Sequence, residues 1–226
     1  MSKVIRERKL SCDGEEVILQ DRSEVDGYPT DTILSYAILS PHSAVPTEYH
    51  NIRFDWKAYP HGYDLQSYHV AADYCTRISE NICEGRGLWI FSPEPGSGKS
   101  LLAAIILQHA ESHHEGLTSM WTTCQEMGEH DRELQDSSFW ERFLTASLVV
   151  IDEVEEPFGR FAFTSPLRLR KRLDSGKSVI FAGSVLPQEA FSNNAKLISR
   201  INSKVHIIRL PAEDLRQKHQ GGKNNA

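Results

Sequence analysis

Apolar residues in this chain gather into short unbroken runs separated by stretches with three- and four-residue spacing. Gly87-Leu88-Trp89-Ile90-Phe91, Ser147 to Ile151, Ser178 to Ser184 and Val205 to Arg209 are runs of strand length. A strand apolar at nearly every position is one buried on both faces, as in a parallel sheet. Leu117 to Thr123 alternates more loosely and gives a further strand. Between these runs the spacing is helical. Leu65, Tyr68, Ala72, Cys75, Ile78 and Ile82 mark one amphipathic helix from Asp64 to near Gly85. Leu102, Ile105, Ile106 and His109 share a face of a second helix, which stops by Gly116. Ser138-Phe139-Trp140-Glu141 has capping-box spacing and opens a third, with Phe139, Phe143 and Leu144 on one face. The polar, charged segment from Cys124 to Asp136 reads as a connection, and Ala195 to Ile201 as a short helix or turn. Strand alternating with helix predicts an α/β fold, a five-stranded parallel sheet flanked by helices.

Residues 1–50 follow another pattern. Glu16 to Gln20 and Ile33 to Leu39 are separated by Asp13-Gly14, Asp26-Gly27 and Pro29, and Asp-Gly beside a β-rich run predicts hairpin turns. The stretch is too thin in apolar residues for a large core of its own, so it reads as a small module or arm, either docking a partner or serving as a structural flap. Asn51 to Pro60, with Phe54, Trp56 and Tyr59, is an aromatic lead-in to a core domain spanning 51–212, and 213–226 reads as a flexible polar tail.

Composition narrows the class. The chain has 226 residues and a formal charge of −6, which argues against a protein that binds nucleic acid over its whole surface. The basic start lacks a signal peptide's apolar centre and no apolar run reaches membrane-spanning length, so a cytoplasmic protein without membrane contact is expected. The four cysteines, Cys12, Cys75, Cys83 and Cys124, have no C-x-x-C spacing, and neither a zinc site nor a disulfide framework follows from them.

Between the run ending at Phe91 and the helix opening at Leu101 stands Pro93-Glu94-Pro95-Gly96-Ser97-Gly98-Lys99-Ser100. Successive backbone N–H groups can wrap a phosphate only where side chains do not intrude, which is the use of Gly96 and Gly98. Pro95, Gly96, Ser97, Gly98, Lys99, Ser100 and Leu101 are the candidate nucleotide-binding residues. Lys99 reaches the β- and γ-phosphates of ATP, and Ser100 ligates Mg²⁺ at the positive end of the following helix. The pattern G-x-x-x-x-G-K-[ST] is met except at its first glycine, where Pro93 stands. A plain glycine turn would share the composition, but not the strand before it and the helix after it. The run Ser147 to Ile151 ends in Asp152-Glu153. At a strand's carboxyl end Asp152 can hold the Mg²⁺ shell, and Glu153 can orient and deprotonate the water that attacks the γ-phosphate. Ser184, ending the fourth strand, reaches the γ-phosphate or that water if its strand inserts between the first and third.

A second cluster is cationic. Arg168, Arg170, Lys171, Arg172 and Lys177 lie beside a single acid, Asp174. Such a cluster attracts phosphate backbones, DNA being the candidate and single-stranded DNA included; the alternative is the solvated face of a helix whose three leucines point inward.

Taken together, the five strands, the phosphate loop, the Asp152-Glu153 pair and Leu197-Ile198-Ser199-Arg200 resemble the AAA+ ATPases, in particular the DnaC-type replicative-helicase loaders and the related IstB-type transposition ATPases. The resemblance covers about residues 51–210 and implies a P-loop NTPase fold of the ASCE type without a C-terminal lid domain, slow ATP hydrolysis and an ATP-dependent homo-oligomer. It implies action on a replicative helicase or another DNA-bound partner. A transposition accessory ATPase and a nucleotide-gated module without turnover are the alternatives. It places Arg200 where the family keeps an arginine finger that completes a neighbour's site. The sensor asparagine of the family's Thr-Ser-Asn-Leu-Pro has Val185 at its position, with Ser184 the nearest polar group.

Overall fold

The computed structural model describes residues 3–12, 15–23, 43–50, 65–114, 116–132, 137–155, 165–212 and 214. The elements in chain order are β1 (Lys3–Cys12), β2 (Glu15–Ser23), α1 (Leu65–Thr76), α2 (Ile78–Cys83), β3 (Gly87–Phe91), α3 (Lys99–His113), β4 (Ser119–Thr123), α4 (Cys124–Arg132), α5 (Ser137–Thr145), β5 (Leu148–Val154), α6 (Ser165–Asp174), β6 (Ser178–Gly183), α7 (Pro187–Ala190), α8 (Ala195–Lys204) and β7 (Val205–Arg209). A short 3-10 turn, Thr47–Tyr49, precedes α1.

β3 to β7 form one five-stranded sheet in the order β4-β5-β6-β3-β7, with every neighbouring pair parallel. β6 therefore lies between β5 and β3, and the carboxyl ends of β3, β5 and β6 come out side by side. β5 and β6 are buried almost throughout, which is why they appear in the sequence as unbroken apolar runs. One core layer joins α1, α2 and α3 to the sheet through Ile78, Ile82, Leu88, Ile90, Ile106, Leu107, Val150 and Ile180. The layer on the other face is built from α4 to α8 and holds Trp89, Phe143, Val149, Phe181, Leu197 and Ile201. α3 is buried at Leu102 through Gln108, apart from no single face, because the sheet, α1–α2 and residues 43–50 close around it.

β1 and β2 pair antiparallel from Lys3↔Ser23 to Cys12↔Glu15, leaving a two-residue link at the Asp13-Gly14 position expected to turn. The expected strand at 16–20 falls inside β2. The Asp26-Gly27 turn, the run 33–39, the aromatic lead-in 51–60 and the tail beyond 214 lie outside the described residues.

Three local readings of the sequence are corrected. The helix expected from Asp64 to Gly85 is two helices, because Arg77 leaves helical geometry at φ −110°, ψ 31°. Asn81 stabilises the break by donating from its side-chain amide to the Tyr74 carbonyl at 2.9 Å. The polar connection after β4 contains α4, whose buried residues are only Met127 and Gly128, too few to print a periodic stripe. In α6 two leucines point inward, Leu169 and Leu173, while Leu167 is exposed.

The third inward side chain of α6 is Arg172, and this overturns its place in the cationic cluster. It is fully buried. Its Nη1 donates to the carbonyls of Phe143 at 2.5 Å and Ala146 at 2.8 Å, and its Nη2 to that of Ser178 at 2.6 Å. Phe143 and Ala146 lie at the end of α5, where carbonyls lack intrahelical donors and the helix dipole is negative. Burial pulls the guanidinium pKa down to about 9, which leaves it charged at neutral pH. Arg172 thus ties α6 to the end of α5 and the start of β6 and is no DNA contact. Arg172→Ala is expected to destabilise the fold by roughly 3 kcal/mol, since it strands several buried acceptors. Urea unfolding measures this, and a loss under about 0.5 kcal/mol would contradict the assigned role.

Candidate nucleotide site

The phosphate loop begins where β3 ends. Ser92 leaves the sheet by donating its N–H to the Gly183 carbonyl at 3.2 Å, and Ser92 Oγ accepts from the N–H of Glu94 at 3.3 Å. Gly96 and Gly98 then take positive φ, 73° and 90°, a backbone state that glycine adopts without a Cβ penalty. Gly98 caps α3, and the first helical bond runs from the Leu102 N–H to the Gly98 carbonyl at 2.9 Å. The N–H groups of Lys99, Ser100 and Leu101 therefore precede the helix's own ladder and stand at its positive end. Lys99 Nζ donates to the Glu94 carbonyl at 2.8 Å, which holds the ammonium across the loop.

β5 brings the carboxylates to the same place. Ser100 Oγ donates to Asp152 Oδ1 at 2.9 Å, joining the two residues expected to share a Mg²⁺ ion. Pairing of β5 with β6 skips a register between Ile151 and Val154, so Asp152 and Glu153 lie on a bulge. Glu153 has φ 57°, a left-handed backbone unusual for a residue with a side chain. Its N–H donates to Asp152 Oδ1 at 2.8 Å, and the Glu153 carbonyl accepts from Glu155 at 2.9 Å. The bulge buries Asp152 and turns Glu153 outward. Burial, ahead of every neighbouring charge, pushes both carboxyl pKa values up. A cation held at Asp152 would oppose that shift, and a carboxylate beside a serine hydroxyl is an oxygen donor set that suits Mg²⁺.

Ser184 is brought alongside: its N–H donates to the Val154 carbonyl at 2.9 Å, one residue past Glu153. The close approach depends on Gly183, where a Cβ would lie 2.3 Å from the Val154 carbonyl oxygen. Val185 is partly buried against the core, and its carbonyl accepts from Trp89 Nε1 at 3.0 Å. Trp89 thereby reaches from β3 to fix the turn that carries Ser184.

Arg200 is not brought to this group within one chain. It sits on α8 with Nε 2.6 Å from Asp174 Oδ1 at the end of α6, both half-exposed. Of the remaining cations of the expected DNA cluster, Arg168, Arg170 and Lys171 lie on α6 and Lys177 follows it. Arg168 stacks 4.0 Å over the Trp140 ring, Arg170 pairs with Asp174 at 3.5 Å, and Lys171 is exposed. A cavity of about 640 Å³, lined by His69, Tyr74, Arg86, Val205 and His206 among others, opens where β3 and β7 begin, at the end of the sheet away from the phosphate loop. One residue near the site gave no sequence signal: Tyr49, whose phenol pKa is pushed up by burial first and further by the charges of Asp152, Glu48 and Glu153.

A parallel sheet with β6 inserted beside β3, a glycine loop running from β3 into α3, and an acid pair closing β5 define the α/β P-loop NTPase fold of the AAA+ type. Solved structures agree. The chain resembles the DnaC helicase loader at TM-score 0.56 and 18% identity, over 74% of this chain and 100% of that one. It resembles DnaI at TM-score 0.56 and 15% identity, over 75% and 93%. It also resembles AMPPCP-bound DnaA from Aquifex aeolicus at TM-score 0.53 and 18% identity, over 70% of this chain and 51% of that one. At these identities the likeness establishes the fold. No family model matches the chain, and no curated protein does.

Proposed function

We propose that this chain binds ATP with Mg²⁺ and hydrolyses it slowly as an AAA+ protein of DNA replication, loading or remodelling a replicative helicase on DNA. The observation that carries the nucleotide half is the junction of loop and acid pair: Ser100 Oγ lies 2.9 Å from Asp152 Oδ1, with Lys99 beside it and Glu153 next in the chain. In this reading Gly96 to Leu101 hold the phosphates with backbone donors, Lys99 neutralises them, and Ser100 and Asp152 hold Mg²⁺, which withdraws charge from the phosphate oxygens. Glu153, directed outward from the bulge, takes the proton of the attacking water, and Ser184 orients that water. The replication half is supported by the fold shared with the DnaC helicase loader and DnaI. The protein works as an ATP-dependent homo-oligomer in the cytoplasm; among the described residues no helix is long and apolar enough to cross a membrane. The deciding experiment is capture from the native host with the tagged full chain and ATP. A replicative helicase recovered with ATP and lost in the Lys99→Ala variant supports the reading, whereas a transposase recovered in its place favours the transposition alternative.

DNA contact in this reading falls to Arg168, Arg170 and Lys171, with exposed Leu167 beside them. Replacing the three cations by alanine is expected to weaken binding to single-stranded DNA and lower the slope of log K against log salt by about 2, each lost phosphate contact removing about 0.7. A salt titration by fluorescence anisotropy checks this. An unchanged slope would leave α6 as a solvated helix face.

A further inference from the structure

The turn that ends β6, Gly183 to Val185, is held from two sides by main-chain bonds. From the β3 side the Ser92 N–H donates to the Gly183 carbonyl at 3.2 Å, where the strand gives way to the phosphate loop. From the β5 side the Val154 carbonyl, one residue past Glu153, accepts from the N–H groups of Ser184 at 2.9 Å and Val185 at 3.4 Å. The Val185 carbonyl belongs to neither set. The bonds of α7 begin one residue further on: Glu189 and Ala190 donate to the Leu186 carbonyl at 3.0 and 2.9 Å, and the Leu186 N–H goes to Glu189 Oε2 at 3.2 Å. The donor to the Val185 carbonyl is a side chain, Trp89 Nε1 at 3.0 Å.

Trp89 is fully buried in the middle of β3, stacked on Phe181 with ring centroids 4.4 Å apart and edge-on to Phe191 at 6.2 Å. Phenylalanine could supply that stacking, and the flanking core residues Leu88 and Ile90 have no polar side-chain atom. An indole N–H placed in a core must find an acceptor, and here the acceptor is the turn that carries Ser184. We propose that Trp89 is a positioning residue for hydrolysis, its N–H fixing the Val185 carbonyl and so aiming Ser184 at the water that attacks the γ-phosphate. The inference rests on the ATP-hydrolysis reading above. Val185 has an apolar side chain partly buried against the core, so the direction of Ser184 is set by the backbone bonds on either side of it. With the indole bond made, the start of the phosphate loop, the turn and the bulge of Glu153 are joined as one unit. Without it Ser184 keeps its bond to Val154, but the carbonyl end of the turn is free to rotate. The contacts assigned to bound ATP, from Gly96 to Leu101, are untouched, so the loss falls on the transition state and not on binding.

The test replaces Trp89 in the full chain by phenylalanine and, through site-specific incorporation, by benzothienylalanine, which keeps the two fused rings and lacks the N–H. Phe143→Leu, at an equally buried aromatic of α5 in the same core layer, is the stability control. Steady-state ATP turnover, KM for ATP and a thermal melt are measured for each. The expected result is a kcat about 10- to 100-fold lower in both Trp89 variants with KM near the wild-type value. The control is expected to melt at least as early as the benzothienylalanine variant and to keep its kcat. Wild-type kcat in the benzothienylalanine variant overturns the role of Trp89 while leaving hydrolysis intact, and so does a control whose kcat falls in step with its melting temperature. A wild type that binds ATP without turnover overturns the hydrolysis reading and this inference with it.

Discussion

Lys99→Ala is expected to abolish ATP binding at concentrations where the wild type is saturated, and to leave the variant folded. Lys99 is half-exposed at the mouth of the loop, and its Nζ donates to the Glu94 carbonyl and to the Ser97 hydroxyl. Truncation therefore opens no core cavity, and the bonds it removes are those to the exposed Glu94 and to the Ser97 hydroxyl. What it removes is a cation facing the β- and γ-phosphates. A hydrogen bond to a charged partner contributes about 1.5–3 kcal/mol, so two of them amount to roughly 3–6 kcal/mol, or 10² to 10⁴ in affinity. The backbone donors of Gly96 to Leu101 remain, so weak residual binding at millimolar ATP is compatible with the assignment. Binding of a fluorescent nucleotide together with a circular-dichroism melt reads both halves of the expectation. Unchanged affinity in a variant that melts like the wild type would sink the phosphate-loop assignment.

The fold and the loop were legible for one reason: each of their signals is local and continuous. β3 and β6 are buried parallel strands, so nearly every position is apolar and their ends show within a residue or so. The meeting of Ser100 with Asp152 was legible as well, because insertion of β6 beside β3 places both strand ends at one edge. Legibility fails where a side chain's fate depends on what lies across from it. Arg172 reads as one more cation in Leu-Arg-Leu-Arg-Lys-Arg-Leu, and only the carbonyls of Phe143, Ala146 and Ser178 explain its burial. Helical spacing carried a hint, since Leu169, Arg172 and Leu173 share a face whereas Leu167 does not. Arg77 broke a helix whose apolar spacing ran straight through it, because spacing counts residues and not backbone torsions. Tyr49 belongs to an irregular strap with no period at all; its contacts with Gln108 and Trp121 come from two elements distant in sequence. Glu153 was recognisable by its neighbour, but the bulge that turns it away from Asp152 was not, since alternation alone would have put the two on opposite faces in any strand.

Arg200 is expected to act in trans, so that its removal lowers turnover by on the order of 10³ while ATP affinity stays near normal. Within one chain it lies against Asp174 at 2.6 Å and away from the phosphate loop, so any contact with a γ-phosphate requires a second copy. The Asp174 pair does not stand in the way. Both partners are half-exposed, and opening such a pair costs about 0.2–1 kcal/mol, a few-fold at most, against the roughly 4 kcal/mol that a finger contributes to the transition state. Glu153→Gln has the same phenotype for a different reason, since it removes the base and leaves the phosphate cradle whole. The two variants are distinguished by mixing them. An interface in which the Glu153→Gln subunit donates Arg200 to an Arg200→Ala subunit has an intact base and an intact finger. With equal random mixing roughly one interface in four is of that kind, so the mixture recovers a clear fraction of wild-type turnover although neither variant has any alone. Turnover per subunit also rises with protein concentration. A mixture as inactive as its parents, together with wild-type turnover independent of concentration, would remove Arg200 from the site. A wild type that binds ATP yet shows no turnover with DNA and helicase present would instead point to Val185, an apolar side chain partly buried against the core where a sensor side chain would face the attacking water, and the protein would then be a nucleotide-gated binding module.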